Sequence, residues 1–250
     1  MFEKLKLRLA ATLYHHAFRI YRMMYFRFKR KKDKHHLQLI QRLLKPGSTA
    51  IDIGANIGFF TKFLAECVGQ EGHVYAFEPD KTNFHHLENE LKGTTNTTLV
   101  QKAVSETSGT LTLYTSDLLN VDHRTYEPEN YSGKYSVEKI SVDDFVNGRF
   151  KVDFIKMDIQ GFEMEALRGM EKTLRVNQHI FLFTELWPFG LEKSGSSAIE
   201  VFDFLTQSGF NIYKIDNNGY SRMNLTEVSN LKVEFLNDVN ILASRAQLLN

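Results

Sequence analysis

Cysteine and long apolar segments are the scarcest features of this sequence. Cys67 is the one cysteine among 250 residues, so neither an intrachain disulfide nor a cysteine-based metal site can form. The short apolar stretch at 9–14 runs into two histidines without a small-residue cleavage site, which argues against a signal peptide, and no stretch is long enough to cross a bilayer. Adjacent histidines on a helix point in different directions and chelate poorly. We therefore expect a cytoplasmic protein without a metal site.

A glycine-containing turn between two apolar segments is the most informative motif. Residues 50–53 predict a buried parallel strand, and the D-x-G-x-N-x-G pattern around them allows a tight turn where a backbone can approach a ligand. Residues 59–68 predict a helix, and a second strand at 73–77 delivers Glu78. An acidic side chain at that position can accept both hydroxyls of a ribose. The segment predicts a βαβ unit that binds an adenosine cofactor.

Two missing features indicate which cofactor this is. A dinucleotide fingerprint requires glycines at 54, 56 and 59, but Asn56 and Phe59 crowd the place of a pyrophosphate, and Asp52 adds negative charge. No lysine and hydroxyl pair follows Gly58 at the spacing of a phosphate-binding loop. S-adenosylmethionine has no phosphate and carries cationic groups that a carboxylate attracts. Methyl transfer is favoured, with an NAD(P)-dependent oxidoreductase as the alternative.

Four ordered motifs resemble those of FkbM-type methyltransferases. They lie at 50–61, 77–79, 140–145 and 153–163, and the similarity spans about 49–190. The resemblance implies a Rossmann-like class I methyltransferase fold and S-adenosylmethionine as the cofactor. It also implies O-methylation of a sugar, glycolipid or other small metabolite.

The same resemblance assigns roles to individual residues. The residues expected to face the methionine part of the cofactor are Asp52, Gly54, Asn56 and Gly58. Glu78 would bind the ribose, and Val104 and Ser105 would lie near the adenine. Gln160 departs from the glutamate that is frequent in the family, which removes a carboxylate at that position.

The rest of the chain alternates between predicted strands and helices. Further strands are expected at 97–103, 154–157, 180–184, 211–215 and 239–243. Further helices are expected at 82–91, 163–174 and 198–208. Short apolar strands separated by helices imply parallel crossovers, and ligands then bind beyond the carboxyl ends of the strands. We expect a doubly wound α/β fold with a mostly parallel, seven-stranded sheet, and the resemblance to methyltransferases implies that its last strand is antiparallel.

Polar residues at strand ends and in one long loop are candidates for catalysis. Asp158 follows a predicted strand and is the first candidate for the base that takes the proton of the acceptor hydroxyl. Glu163 and His123 are the other catalytic candidates. The aperiodic stretch at 116–133 has the length of a functional loop. The residues predicted to bind the acceptor are Lys156, Glu185, Arg124 and Tyr126.

Residues 1–46 are far more basic than the remainder of the chain. They carry 13 Lys or Arg and two acidic residues, against 18 and 28 in residues 47–250, which separates an extension from a methyltransferase domain. A helix over 2–30 would gather apolar side chains in one stripe opposite the charges. The predicted stripe comprises Phe2, Leu5, Leu9, Leu13, Ile20 and Met24. The segment could pack on its own domain or on a second subunit of a homo-oligomer, bind an anionic membrane surface, or, as the least favoured option, bind nucleic acid.

The function predicted from these features is S-adenosylmethionine-dependent O-methylation in the cytoplasm, with a peripheral location on the inner face of a membrane as an option. The alternatives are the oxidoreductase named above and a non-catalytic nucleoside-binding module that acts through its basic segment.

Overall fold

The structure is a computed structural model that describes residues 2–115, 124–127, 131–216, 219–235 and 237–248. The described strands are β1 (Thr49–Ile53), β2 (His73–Phe77), β3 (Thr97–Val100), β4 (Ala103–Val104), β5 (Gly109–Thr115), β6 (Gly133–Ile140), β7 (Phe154–Met157), β8 (Phe181–Leu186), β9 (Asn211–Asp216), β10 (Gly219–Arg222) and β11 (Val239–Ser244). The described helices are α1 (Phe2–His16), α2 (Phe18–Lys32), α3 (Lys34–Leu43), α4 (Phe59–Val68), α5 (Lys81–Glu90), α6 (Val142–Val146), α7 (Glu163–Arg168), α8 (Glu171–Val176), α9 (Pro188–Lys193), α10 (Ala198–Gln207) and α11 (Leu225–Ser229).

The main sheet has the strand order β3-β2-β1-β7-β8-β11-β9-β10. The five neighbouring strands β3, β2, β1, β7 and β8 are all parallel, whereas β11 is antiparallel to both β8 and β9. The chain thus winds outward from β1 in both directions, and the carboxyl ends of β1, β2 and β7 lie side by side. The α/β fold with an antiparallel last strand is confirmed.

The strand count and one strand boundary differ from the prediction. The strand β10 pairs antiparallel with β9 and adds an eighth strand at the edge of the sheet. The strand predicted at 97–103 is in fact two: β3 stays in the main sheet, and β4 joins β5 and β6 in a second, three-stranded sheet. The chain therefore leaves the main sheet directly after the strand beside Glu78.

The helix predicted at 163–174 is interrupted at Gly169. A Cβ atom on this glycine would lie 2.1 Å from the carbonyl oxygen of Ser105, so only glycine allows this close approach. The Asp143 carboxylate then accepts hydrogen bonds from the N–H groups of Lys172 and Thr173. A continuous helix would have used both N–H groups for its own carbonyls. The two short helices α7 and α8 result.

Helices cover both faces of the central strands. Ile51 and Ile155 are completely buried in a cluster with α7, α8 and α10, and Ala50 and Phe154 pack on the opposite face against α3 and α4. Burial on both faces explains why β1 and β7 read as continuous apolar runs in the sequence. Helix α3 contributes to this core through Ile40, which has no exposed surface. The division of the chain at residue 46 stays a prediction.

The basic N-terminal segment forms three helices, and its predicted apolar stripe is divided, since Leu13 packs against a buried cluster while other members face outward. Leu9, Ile20 and Met24 are more than half exposed, whereas Tyr14 and Tyr21 are buried against Ile57. Tyrosine can take the inner face because its ring packs while its hydroxyl finds a polar partner. The hydroxyl of Tyr14 donates to Asn83 Oδ1 at 2.8 Å. The side chains of residues 2–8 lie outside the described part of the structure.

Within the described residues, no helix has both the length and the apolar character needed to cross a bilayer.

Candidate functional site

The loop from β1 to α4 forms the floor of the site. Gly54, Asn56 and Gly58 all have positive φ values, of 78°, 50° and 92°. A Cβ atom on Gly54 would lie 2.0 Å from the carbonyl oxygen of Asp158, because the ends of β1 and β7 approach closely there. The backbone is thereby held in a tight turn with its surface open to a ligand.

Glu78 at the end of β2 fixes this loop from one side. Its Oε2 accepts from the N–H of Asn56 at 2.8 Å, and its Oε1 accepts from the N–H of Asp80 at 2.9 Å. Burial raises the pKa of Glu78 to about 7 against the opposing effect of these hydrogen bonds. Since a carboxylate offers about four acceptor positions, both oxygens keep room for the hydroxyls of a ribose.

A buried ion pair supports the loop from below. Asp52 has no exposed surface, and its Oδ1 lies 3.1 Å from Lys156 Nζ while its Oδ2 accepts from the Thr61 hydroxyl at 2.7 Å. The ammonium of Lys156 also donates to the Gly54 carbonyl at 2.9 Å. Burial alone would lower the pKa of Lys156, but the attraction of Asp52 and the neighbouring acids outweighs it, so that the pKa is raised. Lys156 thus stays charged and holds the loop.

A cavity of about 470 Å³ lies above these groups. The predicted site residues that line it are Gly54, Asn56, Glu78, Lys156, Asp158 and Glu185. The predicted residues that do not line it are Asp52, Gly58, Ser105, Glu163, Arg124 and Tyr126. The adjacent Val104 does line the cavity, whereas Ser105 is completely buried behind it. His123 lies outside the described residues.

The turn after β7 brings Asp158 into the cavity. Gln160, with a φ of 56°, donates from Nε2 to Asp158 Oδ1 at 2.9 Å. Glu163 is buried behind this turn, where its Oε1 accepts from the N–H of Ile159 at 3.1 Å. Burial raises the pKa of Glu163 to about 7. The geometry therefore places Asp158 at the cavity and gives Glu163 a contact with the turn instead of with the cavity.

A pair of acidic side chains from β8 and the segment before β11 also lines the cavity. Glu185 at the end of β8 lines it together with Asp238, which precedes β11. Burial, followed by the charges of Asp158 and Asp238, holds the pKa of Glu185 well above its usual range. A protonated Glu185 donates a hydrogen bond to Asp238. Because the one proton is used between the two groups, the pair offers its remaining oxygen lone pairs as acceptors to a polar ligand.

Aromatic side chains form the wall beside this pair. Trp187 and Phe235 both line the cavity, and the Trp187 Nε1–H donates to the Phe235 carbonyl at 3.0 Å. The Arg124 guanidinium lies 5.3 Å from the ring centre of Trp187, 5.6 Å from that of Phe235 and 5.4 Å from that of Tyr126. Arg124 and Tyr126 thus stand behind the aromatic wall, one layer away from the cavity.

Helix α2 supplies a part of the cavity that the sequence motifs did not indicate. Its residues at the cavity are Tyr25, Phe28, Lys29 and Lys32. Burial raises the pKa of Tyr25 well above its usual value, so this residue presents a neutral hydroxyl. The only sequence signal for such a role is the aromatic and basic composition of the helix, which many solvated helices share.

The cavity fits S-adenosylmethionine. The glycine turn tolerates the close approach of a ligand, and the buried carboxylate beside it has free acceptor positions for an uncharged ribose. The sequence has no phosphate-binding lysine pattern there, which suits a cofactor with a cationic methionine part instead of phosphates. In the described part of the chain, no group of three or more His, Cys, Asp or Glu side chains is arranged to hold a metal ion.

The strand order and this site define a class I S-adenosylmethionine-dependent methyltransferase with a Rossmann-like fold. Residues 52–212 match the family model of the methyltransferase FkbM domain, and the chain belongs to this family. Its cofactor is S-adenosylmethionine, so neither the oxidoreductase nor the non-catalytic alternative is retained.

Two curated proteins share part of this sequence. The 2-O-methyltransferase NoeI of Sinorhizobium fredii is 25% identical over 169 residues, which cover 61% of this chain and 68% of NoeI. The hexuronic acid methyltransferase AglP of Haloferax volcanii is 29% identical over 129 residues, half of each chain. A solved structure described as an rRNA methylase from Clostridium thermocellum matches with a TM-score of 0.50 and 14% identity, over 84% of this chain and 92% of that one. At this identity the last likeness concerns the fold alone.

Proposed function

We propose that the protein transfers the methyl group of S-adenosylmethionine to a hydroxyl of a sugar-containing acceptor. The observation that carries the proposal is that one cavity combines the cofactor-side groups with a carboxyl pair and an aromatic wall. Carboxyl groups exchange hydrogen bonds with sugar hydroxyls, and aromatic rings pack against the apolar face of a sugar ring. The names of NoeI and AglP, a 2-O-methyltransferase and a hexuronic acid methyltransferase, support the same acceptor class.

In this proposal the residues at the strand ends divide the work between binding and proton transfer. When bound, S-adenosylmethionine supplies an electrophilic methyl group on a sulfonium. Glu78 accepts the ribose hydroxyls, and the turn at Gly54 and Asn56 receives the methionine part. Asp158 faces the cavity and takes the proton of the acceptor hydroxyl as the oxygen becomes cationic. Alignment of the two reactants contributes about 7 to 11 kcal/mol, and the base adds a further factor of about 10² to 10⁴.

Two predicted roles change in the light of the geometry. Glu163 is assigned as a positioning residue, because it bonds the turn that carries Asp158 and does not reach the cavity. Asp52 is likewise assigned to holding Lys156, since both its oxygens have protein partners. Acceptor binding is assigned to Glu185, with Asp238 and Trp187 as additional contacts that the motifs did not indicate. A cytoplasmic location belongs to the proposal and agrees with the lone cysteine.

A methyl-transfer assay tests this proposal. The purified protein is incubated with S-adenosylmethionine and a panel of uronic acids, hexoses and oligosaccharides, together with hydroxylated compounds that contain no sugar. The S-adenosylhomocysteine formed and the added methyl mass are measured. Asp158→Asn should lower turnover by about 10²-fold or more while S-adenosylhomocysteine affinity stays unchanged. Asp203→Asn on α10, away from the cavity, is the matched control. Methylation confined to acceptors without a sugar would refute the acceptor class, and equal loss of affinity and turnover would refute the base.

A further inference from the structure

Helix α2 presents two chemically different faces. It contains seven Lys or Arg residues and no acidic residue. Tyr21 is buried, and Tyr25 and Phe26 pack against the methyltransferase domain, so these rings form the inner face. The opposite side of the helix is called the outer face. It comprises Arg19, Ile20, Met23, Met24, Arg27, Phe28, Arg30 and Lys31.

The apolar side chains of the outer face are unusually bare. Ile20, Met23, Met24 and Phe28 are exposed by 51%, 62%, 52% and 60%. Single exposed apolar residues are common, but four on one helix within nine positions form a continuous patch. The patch lies on a segment whose other side is well packed, so the exposure reflects which way the helix faces and not a loose fit.

The cations of the outer face are available for a partner. On the inner side, Arg22 pairs with Glu90, and Lys29 pairs with Asp33. The four cations of the outer face form no ion pair with any carboxylate in the part of the chain that the structure describes. Positive charges and apolar side chains therefore alternate on one surface without an intervening negative charge.

We propose that the outer face of α2 docks on an anionic lipid bilayer. Alternating cations and bare apolar side chains suit a membrane interface, where the cations meet lipid phosphates and the apolar groups enter the boundary of the acyl chains. A nucleic acid would attract the same cations, but its phosphate backbone would leave Met23, Met24 and Phe28 in water. The lipid surface is the partner that uses both properties of the face.

Docking would also orient the catalytic cavity. Phe28 belongs to the outer face and lines the cavity, and Lys29 and Lys32 of the same helix line it as well. The mouth of the cavity therefore lies beside the docking surface. If the proposed acceptor class is right, this arrangement favours a sugar carried on a lipid. Docking itself does not depend on the acceptor, and it can be measured without turnover.

Binding of the full chain to vesicles tests the electrostatic part of the proposal. The protein is sedimented with vesicles of phosphatidylcholine alone or mixed with phosphatidylglycerol, at low and high salt. We expect salt-sensitive binding to the mixed vesicles, and about a 30-fold or greater loss in Arg27→Glu/Lys31→Glu. The matched control is Lys172→Glu/Arg175→Glu on α8, where both residues are exposed and one also lies in a last helical turn. Equal losses in the two double variants would overturn the proposal.

A second pair of variants separates lipid from nucleic acid. Met23→Ser/Met24→Ser keeps every charge and should weaken vesicle binding about tenfold, because two groups that enter the interface are removed. Val176→Ser/Ile199→Ser removes exposed apolar side chains elsewhere and should leave binding unchanged. Tight RNA binding that the methionine variant retains, with no vesicle binding, would assign the face to nucleic acid. Thermal midpoints and S-adenosylhomocysteine affinity establish that each variant is folded. If the unmodified protein binds S-adenosylhomocysteine normally but does not bind vesicles, the docking proposal is refuted while the proposed methyl transfer is not.

Discussion

Replacement of Lys156 by methionine is expected to cost far more stability than the loss of a surface charge. The substitution removes the ammonium but leaves the Asp52 carboxylate, which has no exposed surface and, among the residues that the structure describes, keeps only the Thr61 hydroxyl as a partner. Breaking a buried ion pair from one side costs about 3 to 5 kcal/mol, because the remaining charge is neither solvated nor compensated. The Gly54 carbonyl also loses its donor at 2.9 Å, so the cofactor loop loosens at the same time.

A double-mutant cycle measures this effect by urea unfolding. Lys156→Met should lower the free energy of unfolding by about 3 to 5 kcal/mol. Asp52→Asn in that background should restore about 2 kcal/mol or more, since the stranded charge is gone. Lys102→Met, whose ammonium forms an ion pair with the exposed Glu138, is the control and should cost about 1 kcal/mol or less. A loss in Lys156→Met no larger than in the control would refute the buried pair as the support of the loop.

Three further predictions concern the loop, a buried acid and the N-terminal helices. Gly54→Ala should lower the free energy of unfolding by at least about 3 kcal/mol and abolish S-adenosylhomocysteine binding, because the new Cβ meets a carbonyl oxygen at 2.0 Å. The control Gly47→Ala, where φ is 85° but the space is open, should cost about 1 kcal/mol. Equal effects of the two substitutions in calorimetry would contradict the clash. Burial raises the pKa of Glu163 from 4.5 to about 7, so the folded state holds a proton that the unfolded state loses in this range. As the pH rises from 4.5 to 7, Glu163 alone should lower the free energy of unfolding by roughly 3 kcal/mol, and the raised pKa values of Glu78 and Glu185 add to the fall. Urea midpoints across this range should show a smaller fall in Glu163→Gln, and an unchanged slope would contradict the shift. Ile40→Ala should cost about 2 to 5 kcal/mol, whereas the half-exposed Ile20→Ala should stay within about 0.5 kcal/mol; similar thermal midpoints would contradict the packing of α3 on the sheet.

The turn after β1 and the acid at the end of β2 could be predicted because their determinants are local in sequence. The turn at Gly54 needs positive φ values, and the end of the next strand must place an acidic residue close to that turn. Both requirements leave a recognisable sequence pattern within about thirty residues. The buried strands were equally readable, since helices on both faces impose continuous apolar runs.

The proposed acceptor side of the cavity was predicted only at Glu185, because its other parts come together only in the fold. Trp187, Phe235 and Asp238 lie on segments far from the glycine loop, and none of them belongs to a periodic pattern. The inner faces of α1 and α2 were missed for another reason: a helical wheel ranks tyrosine below leucine, yet Tyr14 on α1 buries its ring and donates to Asn83, and Tyr21 on α2 is buried beside it. The break at Gly169 depends on the distant Asp143, which no local rule reveals.

Calorimetric titration with S-adenosylhomocysteine tests the cofactor site most directly, with NADH in parallel and Glu78→Gln as the variant. We predict micromolar binding of S-adenosylhomocysteine, no binding of NADH, and a loss of about ten- to a hundredfold in the variant, because one of the two acceptor oxygens for the ribose hydroxyls becomes an amide donor. Binding of NADH alone, or S-adenosylhomocysteine affinity that is unchanged in Glu78→Gln, would contradict the assignment of this cavity.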